Sequence, residues 1–307
     1  MRLTAICSAM LMAAPASGAE AVQRAVAWLA VETPRWPVEN HCFSCHNNGD
    51  AARALFLAAS RGYAIAPRAL DDTVRWLRHP AGWEHNRGNP AFSDQRLARL
   101  QFTAALAEAS RTGYTRDPQA LRLAAEAIAA DQDGSGSWPI DTGGVAGAPA
   151  TWGATLATYM GRRTLETADS RRFADAVARA NGWLNAAQPA NVPDRAAILL
   201  ALPATAPRHL EPLLAAQTSD GGWGPQPHAP AEGFDTALVL LALAGLPSSP
   251  RVDAAIVRGR GFLEKFQLND GSWPETTRPS GFTSYAERVS TAGWAAYALM
   301  ITDAKRK

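Results

Sequence analysis

Three stretches of this chain carry the same spacing: Gln132-Asp-Gly-Ser-Gly-Ser-Trp138, Gln217-Thr-Ser-Asp-Gly-Gly-Trp223 and Gln267-Leu-Asn-Asp-Gly-Ser-Trp273. Gln and Trp stand six apart each time, with glycine turn chemistry between them. An Ala- and Leu-rich helical pattern precedes each copy and another follows it. The second helix is expected to open on a capping residue, Thr151, Asp235, or Ser290 or Thr291. Weaker versions begin at Trp183-Leu184, leading to Asp194 and the apolar run 196–202; at Trp76-Leu77, leading to Ser93-Asp94 and Leu97, Leu100, Phe102 and Leu106; and at Trp28-Leu29, leading to Asp50 and a helix over 51–60. Six hairpins result. Each has an outer helix, a loop on a common rim and an inner helix apolar enough to be buried on nearly all sides. The fold expected is all-α, an α/α toroid of about six helical hairpins.

The Gln-to-Trp spacing and the inner-helix pattern resemble the repeats of squalene-hopene cyclases and the wider prenyltransferase-like α/α toroids, over nearly all of residues 20–307. The resemblance implies that Gln132, Trp138, Gln217, Trp223, Gln267 and Trp273 are structural clamps, the Gln capping a helix and stacking on the Trp. Cyclases protonate an alkene from an Asp-x-Asp-Asp cluster, which this chain lacks. Asp71-Asp72 reads as a helix start and Asp131-Gln132-Asp133 as a turn, and helix capping accounts together for Asp50, Asp94, Asp194 and Asp235. The zinc set of the prenyltransferases is missing as well.

The remaining motif is Cys42-Phe43-Ser44-Cys45-His46. Two thiols at this spacing can form thioethers to haem vinyl groups while the adjacent imidazole ligates iron, so the motif reads as an attachment site for haem c, with His46 proximal. The competing readings are a local disulfide or a metal site. The haem-binding loop is expected at 36–50, on the rim and near the mouth of the toroid's cavity. A sixth iron ligand is expected from the neighbouring loop, at His85 or else His79. Met160 and Met300 fall on inner-helix patterns and read as core.

Residues 1–19 run from Met1-Arg2 through an apolar stretch to Ser17-Gly18-Ala19, the order of a cleavable signal peptide, with residues 20–307 as one domain. The exported, periplasmic chain would then retain only Cys42 and Cys45 of its three cysteines, and no later apolar run is long enough to span a membrane. A net charge of +2 with scattered basic residues gives no footprint for nucleic acid.

Two functions are therefore expected, with a haem enzyme whose five-coordinate iron is open to a small oxidant as a third; were the chain an enzyme, a haem-dependent oxidoreductase is expected ahead of a terpene cyclase. The first is a periplasmic c-type haem protein passing electrons to a redox partner protein or to a small apolar or redox substrate. The alternative is a terpene-cyclase, isoprenoid-modifying or isoprenoid-binding protein in which Cys42 and Cys45 form a disulfide or metal site. Phe56, Phe102, Trp152, Tyr159, Trp294 and Tyr297, at inner-helix positions, are the candidates to line an apolar cavity.

Overall fold

The computed structural model describes residues 18–86, 94–140, 153–276 and 284–303. The expected signal stretch, apart from Gly18 and Ala19, and both Thr151 and Trp152 lie outside them. Among the described residues there are twelve α-helices and no strand. The outer helices are α1 (Gly18–Asn40), α3 (Asp71–Leu77), α5 (Pro118–Ala130), α7 (Ala174–Ala186), α9 (Ala206–Ala215) and α11 (Pro250–Phe266). They alternate with the inner helices α2 (Ala52–Ser60), α4 (Gln95–Arg111), α6 (Ala154–Asp169), α8 (Val192–Ala201), α10 (Gly233–Ala244) and α12 (Tyr285–Thr302).

Each inner helix packs on the next, and α12 packs back on α2, so the barrel of inner helices is closed. The amino-acid pattern dictates which helices go inside. In α10, Gly-Phe-Asp-Thr-Ala-Leu-Val-Leu-Leu-Ala-Leu-Ala has no polar stripe, and eleven of its twelve residues are buried. α9 keeps only His209 and Leu213 buried and stays outside.

The three Gln-to-Trp turns are built alike. The Trp138, Trp223 and Trp273 indoles are buried, and each donates Nε1–H to a carbonyl ten residues back, on Ile128, Leu213 and Leu263 (2.7, 2.7 and 2.9 Å). The Gln amide does not cap a free helix end. Its Nε2 donates once within its own turn and once to a backbone carbonyl of the next outer helix, Ala176, Ala255 and Ala21 respectively. Its Oε1 accepts from an arginine of that helix, Arg179, Arg258 or Arg24. Because the third turn reaches Ala21 and Arg24, the last outer helix is tied to the first and the outer ring closes too.

Glycine is required in these turns for two reasons at once. Gly136, Gly221 and Gly271 have φ of 97°, 95° and 94°, a region that L side chains avoid. A Cβ at Gly221 would also stand 2.6 Å from the Arg258 carbonyl oxygen. Gly221→Ala is accordingly expected to lower the unfolding free energy by about 2–4 kcal/mol, combining left-handed strain with the steric conflict. Gly182→Ala, where a Cβ meets nothing within 4 Å, is the control for denaturant titration and should not destabilise.

The first hairpin departs from the sequence expectation. The loop expected at 36–50 is largely helical, because α1 continues through Pro34 and Pro37 to Asn40, and only 41–44 separate it from the next helical turn. Pro37 has no N–H to offer the Thr33 carbonyl. The Asn48 side-chain amide donates to that carbonyl instead, at 3.3 Å, which docks the following segment against the proline-bearing end of α1.

Candidate functional site

Cys45–Ala51 forms a π-helical turn leading directly into α2. Ser44 caps it, accepting from the His46 amide at 3.2 Å, and the Ser44 amide donates to Asn48 Oδ1 at 2.9 Å. Asn47 donates to the Glu32 carbonyl and to the Tyr285 hydroxyl, both at 2.8 Å, and Asn48 donates to Thr73 Oγ1 at 2.8 Å. Gly49 admits α4 so closely that a Cβ there would lie 2.9 Å from that of Gln101. The segment is thereby packed against α1, α4 and α12.

Within this turn Cys45 and His46 come together. His46 is 5% exposed, and its Nε2, the ring nitrogen required to face iron, stands 3.6 Å from Cys45 Sγ. Burial, with the Asp50 carboxylate acting in the same direction, pushes the Cys45 thiol up to about 12, so it stays protonated at neutral pH. Both Cys42 and Cys45 are free thiols rather than a disulfide. Among the described residues no three His, Cys, Asp or Glu side chains gather to hold a metal ion. The neighbouring loop is adjacent, since Asn86 bonds both the amide and the carbonyl of Phe43 (2.9 and 2.7 Å). His79 and His85 are exposed on it, and His79 Nδ1 lies 2.6 Å from the Arg75 carbonyl oxygen.

Asp94 caps α4 as expected, accepting from the Arg96 and Leu97 amides. Asp194, in the first turn of α8, accepts from the Ala190 amide and the Thr155 hydroxyl. It is not the N-cap, which is Asn191. Capping fails for the other two as well. Asp235 is fully buried within α10, whose N-cap is Glu232, and Asp50 is 2% exposed inside the π-helical turn. Ser290 and Thr291 are not caps either, because α12 begins earlier, with Ser284 as N-cap. Asp50 Oδ2 accepts from Ser290 Oγ at 2.5 Å and from Gln101 Nε2 at 2.8 Å.

Burial holds the Asp50 carboxyl above its ordinary range, against the opposing pull of Arg53 and of hydrogen bonds from Ser290, Gln101 and Trp294. An acid raised in the folded state keeps its proton more tightly folded than unfolded. Its contribution to stability is therefore complete below the unfolded value of about 4 and is lost as pH rises through the raised one. Asp50→Asn should flatten this decline in unfolding free energy above about pH 4. Parallel pH profiles for the two proteins would contradict the assignment.

Along α12, Ser290, Trp294, Tyr297 and Ile301 follow at spacings of four, three and four residues and mark successive levels of one helix face. Below the Asp50 level, Arg53 is 4% exposed, its guanidinium 4.0 Å from the Trp294 ring centroid and 4.6 Å from that of Tyr297. Next comes a cavity of about 210 Å³. Leu200, Leu241 and Ile301 with the Trp294 and Tyr297 rings make it apolar, and Tyr159, Arg53 and Arg163 add polar groups. It lies toward the C-terminal ends of α8, α10 and α12, so the Cys42–His46 loop, at the other end of the inner helices, is not at its mouth.

Three of the six aromatic residues expected at a cavity, Tyr159, Trp294 and Tyr297, line this one; Phe56 and Phe102 pack in the core. Met300 is core as expected, whereas buried Met160 also puts its sulfur 3.6 Å from Arg53 Nη1. Arg53, Gln101, Glu108 and Arg163 went unread in the sequence. Their signal was a polar side chain interrupting a helix otherwise apolar on every side, as Arg53 does in Ala51-Ala-Arg-Ala-Leu-Phe-Leu57.

No protein-family model matches the chain, and no curated protein sequence matches it. Solved structures do. The type II terpene cyclase MstE from Scytonema, in its apo form, is similar with a TM-score of 0.61 at 14% identity, over 94% of this chain and 99% of that one. A variant of the same cyclase in complex with its substrate geranylgeranyl dihydroxybenzoate gives 0.58 at 14% identity, over 94% and 98%. The ent-copalyl diphosphate synthase from Streptomyces platensis gives 0.52 at 21% identity, over 81% of this chain and 50% of that one. At these identities the likeness establishes the fold, a terpene-cyclase-like α/α toroid.

The expectation of electron transfer by a c-type haem protein is thereby corrected. The whole described chain is organised as the toroid of proteins solved with isoprenoid substrate and product. The Cys-x-x-Cys-His segment is packed into its wall, with His46 Nε2 3.6 Å from Cys45 Sγ. The redox partner expected with that reading has no support, and the small apolar ligands belong to the neighbouring proteins. No helix of the described residues is long and apolar enough to cross a membrane.

Proposed function

We propose that this protein binds a short isoprenoid chain in the cavity enclosed by its inner helices. The observation that carries the reading is the cavity itself, walled by Leu200, Leu241, Ile301 and the rings of Trp294 and Tyr297. Apolar walls with a few placed polar groups are the usual make-up of a small-molecule site. The neighbouring proteins solved with geranylgeranyl dihydroxybenzoate and with merosterolic acid A add that this architecture suits isoprenoid ligands. Size sets the chain length. At about 210 Å³ the cavity falls below the roughly 300 Å³ at which ordinary ligand pockets begin, which favours a ten-carbon prenyl chain over a twenty-carbon one.

Binding fits the geometry better than proton-initiated cyclisation. A cyclase must present an acid to the alkene and open aromatic faces to the carbocation. Here Asp50 is not among the cavity-lining residues, and the Arg53 guanidinium lies over both Trp294 and Tyr297, where a second cation would be repelled. Calorimetric titration with geraniol, followed by extraction and chromatography of the ligand, tests both parts. Saturable one-to-one binding with unchanged geraniol is expected. Absence of saturable binding would end the proposal, and a cyclised product would convert it to an enzyme.

A further inference from the structure

We infer that the ligand of this cavity carries an oxyanion head, a carboxylate or phosphate, that pairs with Arg53 and Arg163; the inference rests on the prenyl-cavity reading above. Arg53 stands in the first turn of α2 and is 4% exposed. Its Nη1 meets only the soft Met160 sulfur at 3.6 Å, while its Nε and Nη2 are buried and donate to no acceptor. Stacking on Trp294 and Tyr297 accounts for the planar charge and leaves those N–H groups unsatisfied. A guanidinium is a donor only and cannot shed its proton to ease burial, so its orphaned fork calls for an acceptor, and a carboxylate or phosphate matches that fork.

The charge balance points the same way. Arg163 lines the same cavity, with Nη1 donating to the Tyr159 hydroxyl at 2.8 Å, and no carboxylate lines it. The nearby acids are already engaged. Glu108 takes two bonds from Arg111, at 2.5 and 3.1 Å, and one from the Tyr297 hydroxyl at 3.1 Å. Asp50 is held by Ser290 and Gln101 and offsets part of the Arg53 charge. Arg53, Arg111 and Arg163 are set against Glu108 and an Asp50 carboxyl that burial holds above its ordinary range, so positive charge is in excess. An anionic head would offset it in a site where unpaired charge is costly.

The test compares three probes that share one ten-carbon tail, geraniol, geranic acid and geranyl monophosphate, by calorimetry on the wild type, Arg53→Met and Arg163→Met, with thermal melts to confirm folding. At least one anion should bind the wild type about ten- to a hundredfold tighter than geraniol, and whichever gains more identifies the head. Arg53→Met should erase that preference, so that the anions bind this variant no more tightly than geraniol does. If Arg53→Met does not fold, Arg163→Met reads the same quantity, and an unreduced preference there overturns the inference. Equal binding of all three probes to the wild type overturns the anion head and leaves the prenyl cavity standing. Binding of none overturns both.

Discussion

Leu241→Trp is expected to weaken binding of a ten-carbon prenyl ligand at least a hundredfold while the protein still folds. Leu241 is 6% exposed and lines the cavity from α10. The larger indole would take up space that the ligand must occupy. Each buried methylene contributes about 0.8 kcal/mol, so excluding four of ten carbons removes about 3 kcal/mol, or two orders of magnitude in affinity. Overpacking of a filled core costs about 1–3 kcal/mol, and an adjoining cavity keeps this variant at the low end. Calorimetry for affinity and denaturant titration for stability separate the two effects. Loss of binding with a midpoint near that of the wild type is the expected pair. Unchanged affinity would place the ligand elsewhere.

Trp223→Ala should be among the most destabilising single substitutions in the chain, by about 3–5 kcal/mol. The indole is fully buried and packs so closely on α11 that a Cβ at Gly259 would meet its ring at 2.7 Å. Its Nε1–H serves the Leu213 carbonyl, its backbone amide donates to Thr236 Oγ1 at 2.9 Å, and its backbone carbonyl accepts from the Glu232 amide at 2.9 Å. Truncation therefore opens a cavity and strands a carbonyl in the same place. Trp183, at the corresponding helix of the repeat that lacks the Gly-Trp turn, is only partly buried. Trp183→Ala should cost less than about 2 kcal/mol. Comparable losses for the two variants, measured by chemical denaturation, would remove the distinction between clamp and ordinary tryptophan.

The same contrast explains what was legible in the sequence. The Gln132, Gln217 and Gln267 turns could be read because a clamp must repeat residue types at a fixed spacing, and each copy makes the same set of bonds. The division into outer and inner helices was legible from the missing polar stripe in α10 and α12. Ring closure followed from six hairpins, although the bond from Gln267 to Ala21, 246 residues away, could not be foreseen.

The site was legible only in part. Trp294 and Tyr297 were among the aromatic candidates, yet spacing alone cannot separate a cavity face from a core face on a helix buried all round. Asp50 and Asp94 occupy corresponding places in the repeat, and a single-residue difference in where the helix begins turns one into a buried acid and leaves the other a cap. For the same reason Ser290 was read as a cap when it is the partner of Asp50 within α12. The Cys42-Phe43-Ser44-Cys45-His46 string gave no warning that Asn47 and Asn48 would dock its following turn on α1, because those contacts depend on residues distant in the chain.

The most direct measurement of the central claim is photocrosslinking with a ten-carbon prenyl probe bearing a diazirine, followed by peptide mapping. Crosslinks on α10 and α12, around Leu241 and Ile301, that unlabelled geraniol competes away are expected. Competed crosslinks confined to the 41–46 loop or to the outer helices would contradict it.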